Sequence, residues 1–123
     1  MAQSEVITSL VEIQTQFKFL HWQTKSYARH NAFGGVYDSL TDLIDTFVET
    51  CMGKHGRPSY PSGYSLKGYD ISELPLTEFI SGVSDYLISL NNIFDPQMDS
   101  DLLNIRDEML SEINKLKYLL TLK

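Results

Sequence analysis

The placement of proline limits which parts of this chain can form long helices. No proline precedes Pro58, and the others are Pro61, Pro75 and Pro96. Because proline lacks a backbone N–H and interrupts helices, the stretch before residues 53–74 is free to form long ones. Residues 53–74 are also rich in glycine, serine and tyrosine, which is typical of a connection. The chain is therefore divided into two helical halves joined by one long connection.

Apolar residues recur at steps of three and four in four segments, which is the period of an amphipathic α-helix. The pattern predicts helices over residues 4–28, 31–52, 75–93 and 99–121, with residues 53–74 as the connection. Short links make the helices of each half antiparallel neighbours, and one long crossover is typical of ferritin-like bundles. The sequence thus predicts an all-α single domain over residues 1–123, a ferritin-like four-helix bundle with its crossover between the second and third helices.

The charge balance and the apolar runs limit the classes of partner. The chain has 10 Lys+Arg against 16 Asp+Glu and a net charge of −6, so DNA binding is not expected. The one cysteine, Cys51, cannot form an internal disulfide, and no zinc-type Cys/His spacing is present. No segment approaches the roughly 18 apolar residues of a membrane span. We therefore expect no membrane partner and a cytoplasmic location.

The second predicted helix carries an acidic row: Asp38, Asp42, Asp45 and Glu49. At about 100° per residue, these four acids share one side of the helix and flank its apolar stripe. No lysine or arginine is interleaved, so like charges repel along the row. Two interpretations stay open: a solvated face, the commoner place for acids, or a face that meets a cation or a partner subunit.

Histidines precede this row. His21 falls within the apolar arc of the first helix, His30 lies near the start of the second, and His55 lies in the turn after it. A histidine on an apolar face is more often a hydrogen-bonded core residue than a metal ligand. Imidazole is nonetheless a common ligand for iron and zinc where a carboxylate approaches it. The Glu-x-x-His pair of larger di-iron bundles and a Gly-rich phosphate loop are both absent from the sequence.

A combined motif runs through this region in the order Leu20-His21-Trp22, His30, Tyr37, Asp45-x-x-x-Glu49. It resembles the Dps-like mini-ferritins, in which a Leu-His-Trp motif ends the first helix and a second histidine opens the next. A tyrosine and then an Asp-x-x-x-Glu pair follow on that same helix in the family. The resemblance is close over residues 17–51, and the order of helices matches over most of the chain.

The resemblance implies an iron site shared between two subunits. His21 and His30 of one subunit would face Asp45 and Glu49 of its mate, with Glu49 as the bridging carboxylate and Trp22 as a neighbouring aromatic. The chemistry implied is oxidation of Fe²⁺ by peroxide or oxygen, with storage of ferric iron. The assembly implied is a homo-oligomer built from dimers, a hollow shell of twelve subunits in the family.

The sequence also departs from the family pattern, as a divergent and shortened member would. The acid that follows the second histidine by four residues in the family is here Gly34, and Asp38 one turn later is a substitute candidate. The turn after Trp22 is shorter, and a Lys-rich DNA-binding tail is absent from the sequence. Weak ferroxidase activity is therefore one expectation. The alternatives are zinc or another divalent ion at the same residues, or a structural or assembly protein, for example phage-encoded, that has lost the activity.

Overall fold

The computed structural model describes residues 3–123, which form four α-helices and no β-strand. The helices are α1 Gln3–Gln23, α2 Tyr27–His55, α3 Leu76–Ser89 and α4 Ser100–Leu119. Short 3₁₀ helices occupy Ile71–Glu73 and Leu90–Asn92. The predicted all-α class is confirmed. Among the described helices, none is both long enough and apolar enough to span a membrane.

Contacts along α1 and α2 show that the two helices run antiparallel. The side chain of Gln3 donates to the carbonyl of Gly56 at 2.9 Å, just beyond the end of α2. Farther along, the Gln14 amide donates to the Thr41 hydroxyl at 3.1 Å. The last turn of α1 then meets the first turns of α2, across a link of only residues 24–26. Such a short link leaves antiparallel packing as the natural arrangement.

The remaining helices complete an up–down–down–up bundle. Lys54 at the end of α2 pairs with Asp101 at the start of α4, so these two helices are antiparallel. Arg106 of α4 donates to the carbonyl of Leu87 near the end of α3, and the start of α3 lies by the end of α4. Helices α2 and α3 therefore point the same way, opposite to α1 and α4. A chain leaving α2 has to travel the length of the bundle before α3 begins.

The connection between α2 and α3 runs the length of the bundle alongside α1. The Lys67 N–H donates to the Glu12 carboxylate at 2.6 Å, and the Gln16 amide exchanges hydrogen bonds of 2.8 and 2.9 Å with the Tyr69 backbone. Near the end of α1, Gln23 accepts from the Ile71 N–H at 2.8 Å. Steps of four and seven residues place these α1 side chains on one helix face. Side-chain amides and a carboxylate thus satisfy the backbone of an otherwise irregular segment.

Helix boundaries differ from the predicted ones mainly at the link between α1 and α2. Helix α1 ends at Gln23 rather than residue 28, and α2 begins at Tyr27 rather than 31. The reason is Ser26, whose hydroxyl accepts from the Arg29 N–H at 3.2 Å and caps α2. Helix α2 also continues past residue 52 to His55 and stops before Gly56, which has a φ of 85° that favours glycine.

The second half of the chain follows the predicted boundaries more closely. The α3 segment with its 3₁₀ extension reaches from Leu76 to Asn92, against the predicted 75–93. Helix α4 occupies Ser100–Leu119, against the predicted 99–121. The predicted single domain includes residues 1 and 2, which lie outside the described residues.

One hydrophobic core joins all four helices. Its largest fully buried side chains include four phenylalanines: Phe17, Phe33, Phe47 and Phe94. The apolar stripe predicted for α2 comprises Tyr37, Leu40, Ile44, Phe47 and Cys51; the last four are buried, and Tyr37 is half-buried against the core. Burial, with a smaller contribution from the charge of Asp99, raises the pKa of the Cys51 thiol. This cysteine is therefore an apolar packing residue with little thiolate character.

Asp99 holds the end of α2 against the turn that precedes α4. It is a buried carboxylate that accepts from the Asp95 N–H at 3.0 Å and from the His55 ring at 3.1 Å, with Lys54 at 3.5 Å. Burial alone raises the pKa of Asp99, but these three partners outweigh it and hold that pKa below its ordinary value. His55 therefore has a structural role that its position in a predicted turn did not indicate.

Replacing Asp99 with asparagine should lower the free energy of unfolding at neutral pH by about 1 kcal/mol, since the amide keeps the Asp95 contact and loses the charged ones. A lowered folded-state pKa stabilises the fold above the unfolded value, and this contribution disappears as pH falls below about 4. Urea unfolding at neutral and acidic pH measures both effects. The Asp99→Asn deficit should shrink in acid. A deficit that stays constant across this range would contradict the charge-based account.

Candidate metal centre

The site begins with two histidines held together at the α1–α2 link. His21 lies in the last turn of α1 and His30 in the first turns of α2. Their imidazole rings stack with centroids 3.8 Å apart and an angle of 19° between the planes. Both side chains are half-buried. The short link capped by Ser26 folds the chain so that residues nine apart in sequence come into ring contact.

Hydrogen bonds at this pair are reciprocal and define the role of each ring nitrogen. Nδ1 of His21 lies 2.7 Å from the carbonyl oxygen of His30, and Nδ1 of His30 lies 2.8 Å from the carbonyl oxygen of His21. Because a carbonyl only accepts, each Nδ1 carries a hydrogen and donates it. In each neutral ring the lone pair is then on Nε2. Neither Nε2 atom forms a hydrogen bond with any residue from 3 to 123. This is the arrangement that metal-ligating histidines adopt in proteins.

Gly34 explains how the His21 ring fits so close to α2. A Cβ atom at Gly34 would lie 2.9 Å from both Cε1 and Nδ1 of His21, whereas one at Gly35 would meet nothing within 4 Å. The ring therefore occupies the space that any side chain at residue 34 would need. At residue 34, where the mini-ferritins that the sequence resembles carry an acid, the imidazole of His21 fills the space.

One aromatic side chain contacts the histidine pair, and a cation–aromatic group lies near the same end of α1. Tyr27 stacks on His30 with ring centroids 6.3 Å apart, and it is 79% exposed. Trp22 is 64% exposed and lies beside the ammonium of Lys18, which also sits 4.6 Å from the ring centre of Tyr37. Exposed aromatics of this size, grouped at one end of the molecule, are typical of surfaces that contact a partner.

The acidic row of α2 faces outward. Asp38, Asp42, Asp45 and Glu49 are all exposed, and none forms a salt bridge with another described residue. The hydrogen bond to Asp45, reinforced by the charge of Asp45, raises the pKa of Glu49. Asp45 and Glu49, one helical turn apart, are thus neighbours on the helix surface. This geometry fits both interpretations of the row, the solvated face and the face that meets a cation or a partner.

Distance along α2 separates the predicted ligands within one chain. At 1.5 Å per residue, His30 and Asp45 lie about 22 Å apart along the helix axis, and Glu49 lies farther still. No three His, Cys, Asp or Glu side chains within residues 3–123 come together as a metal site would require. The structure brings together His21 with His30, and Asp45 with Glu49, and it leaves the two pairs apart. Asp38 and Trp22 join neither pair.

Other features of the site were not predicted from the sequence. Tyr27 precedes His30 by three residues, and Lys18 precedes Trp22 by four, so helical spacing places each pair on one face. That spacing is the signal that could have identified them. The capping role of Ser26 was also missed, although serine before a helical run is a preferred cap. No sequence pattern indicated that the His21 ring occupies the space beside Gly34.

Comparison with known proteins gives two matches. Residues 21–120, which include both histidines and the whole acidic row, match the family described as a family of unknown function (DUF5856). An uncharacterized 14.6 kDa protein in the mobD-ri intergenic region of Enterobacteria phage T4 is 34% identical over 122 residues, covering 97% of this chain and 88% of that protein. No solved structure matches the chain. The chain belongs to the DUF5856 family.

Proposed function

We propose that this chain is a ferritin-like protein, related in design to the Dps-like mini-ferritins, that binds Fe²⁺ between two copies of itself. His21 and His30 of one copy and Asp45 and Glu49 of the other supply the ligands. The observation that carries the proposal is the histidine pair, whose Nδ1 atoms are both held by backbone carbonyls while both Nε2 atoms remain available. Imidazole and carboxylate together suit iron or zinc better than magnesium or calcium.

The topology supports a ferritin-like assignment. Four helices run up–down–down–up with one long crossover between the second and third, which is the arrangement of ferritin-like bundles. The crossover is held along α1 by Gln16 and its neighbours. This placement leaves the acidic side of α2 uncovered by the connection.

The charge distribution favours a second copy in antiparallel orientation. Lys18 and Lys25 lie at the histidine end of the α1–α2 pair, and the acids lie toward the other end of α2. An antiparallel two-fold pairing would bring each histidine end to the partner's acidic end. A groove of about 340 Å³ between α1 and α2 is lined by Asp42 and Asp45 and has apolar walls at Val11 and Val48. Such a groove adds apolar contact area to the charge complementarity.

Iron is the substrate in this proposal. Each Fe²⁺ would lose one electron to become Fe³⁺. Two such electrons, with two protons, would reduce dioxygen to hydrogen peroxide, or hydrogen peroxide to two water molecules. The protein contributes neutral imidazole nitrogens and two carboxylates, whose negative charge favours the ferric product. With Gly34 in place of an acid, one carboxylate fewer stabilises Fe³⁺, so we expect slow oxidation.

A second candidate function is a structural or assembly role without iron chemistry. The observation that favours it is again Gly34, because the His21 ring fills the position where the mini-ferritins have an acid. The same residues could then hold Zn²⁺ as a structural ion, since the ligand types do not select iron.

The test of the proposed function uses complementation between two variants. Wild-type protein should raise ferric absorbance after aerobic addition of Fe²⁺, and His21→Ala and Glu49→Ala should each abolish the increase. Co-expressed, the two variants should recover about a quarter of wild-type activity, because half of randomly formed dimers contain one intact site of two. Asp42→Asn, in the same row, serves as the control and should keep activity.

Failure of the proposal has clear signs. A particle mass equal to the 14.1 kDa chain mass in light scattering would overturn a site shared between copies. A particle of twice that mass or more, with Zn²⁺ bound and no oxidation of Fe²⁺ above buffer, would favour the structural role instead. Metal analysis of the purified protein distinguishes the two ions.

A further inference from the structure

A second cavity lies where the starts of α2 and α3 meet the end of α4. Its volume is about 350 Å³, within the range of small-ligand sites. Arg29 from α2 and Lys117 from α4 line it, together with Thr77 and Ser81 from α3. Ile80 belongs to the apolar part of its wall. The cavity is built by one chain and shares no lining residue with the proposed iron site.

The charge of this cavity is opposite to that of the protein. Two cations and no acidic side chain line it, in a chain whose net charge is −6. Neither Arg29 nor Lys117 forms a salt bridge with a carboxylate of residues 3–123. Cations that line one concave site from two different helices, without an acidic partner, leave a positive potential there for an anion to neutralise.

The remaining lining groups define the kind of anion. Arginine suits phosphate and carboxylate groups because its guanidinium donates two parallel hydrogen bonds. The hydroxyls of Thr77 and Ser81 have no hydrogen-bond partner among the described residues and supply further donors. Ile80 and Leu120 offer an apolar surface that an inorganic ion would leave uncovered.

We propose that this cavity binds a small organic anion, in which a phosphate or carboxylate group is carried on a compact apolar body. The anionic group would lie between Arg29 and Lys117, with the apolar body against Ile80 and Leu120. This function is additional to the proposed iron site and does not depend on it. Binding is expected in the presence or absence of Fe²⁺.

The probe for this proposal is phenyl phosphate, titrated into the full chain and followed by calorimetry. Saturable binding should be tighter than that of inorganic phosphate, which lacks the apolar body, and of phenol, which lacks the charge. Arg29→Gln and Lys117→Gln should each weaken binding at least about tenfold, the effect of losing a charge-assisted hydrogen bond. Lys115→Gln is the matched control, because it removes the same charge from the same helix outside this cavity.

Several results would overturn the proposal. These are absence of saturable binding, an equal loss in Lys115→Gln, or inorganic phosphate binding as tightly as phenyl phosphate. A phosphate group on a lipid is a second source of the same chemistry, tested by sedimentation with phosphatidylcholine vesicles that contain phosphatidic acid. Vesicle binding without saturable phenyl phosphate binding would also overturn the small-molecule site.

Discussion

Replacing Arg106 with alanine should lower the free energy of unfolding by about 3 kcal/mol. Arg106 is only 7% exposed and joins α4 to the end of α3. Its guanidinium donates to the carbonyl of Leu87 and to the Asn91 side chain, each at 2.8 Å. Alanine removes both charge-assisted hydrogen bonds and the packing of the buried alkyl chain. Urea unfolding followed by circular dichroism measures the change.

Two further variants separate what the alkyl chain of Arg106 and its contact with Asp107 contribute to stability. Arg106→Met keeps most of the alkyl packing and should recover about 1 kcal/mol of the loss. Asp107→Asn alters only the exposed partner of the Arg106 Nε, at 2.9 Å, and should change stability by less than about 0.5 kcal/mol. If Asp107→Asn destabilised the protein as much as Arg106→Ala, the hydrogen bonds of Arg106 to Leu87 and Asn91 would not be the cause of the lost stability.

Replacing Gly34 with alanine should weaken metal binding at the proposed site roughly ten- to a hundredfold, the usual effect of disturbing a ligand's supporting contacts. The new Cβ would lie 2.9 Å from Nδ1 of His21. The ring cannot retreat without losing its 2.7 Å hydrogen bond to the His30 carbonyl. Titration with Co²⁺, whose absorption spectrum reports its ligands, measures the affinity and shows whether imidazole coordination is lost.

Gly35→Ala is the matched control for this experiment. Residue 35 is on the same helix, and a Cβ there meets nothing within 4 Å. Alanine at residue 35 should therefore stabilise the protein by about 0.5–1 kcal/mol through its higher helix propensity and leave metal affinity unchanged. Equal metal affinity in the two alanine variants would show that His21 does not need the space above Gly34.

The same geometry predicts the outcome of placing at residue 34 the acid that the mini-ferritins carry at the matching position. Gly34→Asp adds a carboxylate that suits Fe³⁺, but its Cβ meets the His21 ring as alanine does. We expect weaker binding than in the wild type, because the loss of the histidine pair outweighs one added ligand. In this chain, glycine at residue 34 is part of how the two histidines are held.

Local patterns in the sequence were sufficient for the fold class and the core. Apolar spacing of three and four identified all four helices, and the stripe around Ile44 and Phe47 is buried as predicted. The ends of the helices were harder to predict than the helices themselves, because several residues close together in sequence can each serve as a cap. Helix α2 begins after Ser26 rather than at residue 31, because the Ser26 hydroxyl accepts from the Arg29 N–H, a local contact that apolar spacing does not encode.

The spacing of apolar residues could not predict which polar side chains are buried. Arg106 occupies a position in the apolar stripe of α4, where its spacing alone does not say whether it is buried or turned to solvent. Its burial depends on Leu87 and Asn91, which approach only when α3 folds back on α4. Gln16 is similar, since its partner Tyr69 is far away in the sequence.

The sequence by itself determined the residue types of the proposed site: two histidines near the link, and an acidic row on one side of α2 with no interleaved cation. The tertiary structure decided how they are grouped. It stacks His21 on His30 through a short link, because Gly34 leaves room for the ring. It also keeps Asp45 about 22 Å from His30, because a straight helix rises 1.5 Å per residue. That rigid spacing is the physical reason why the proposed site takes its carboxylates from a second copy of the chain.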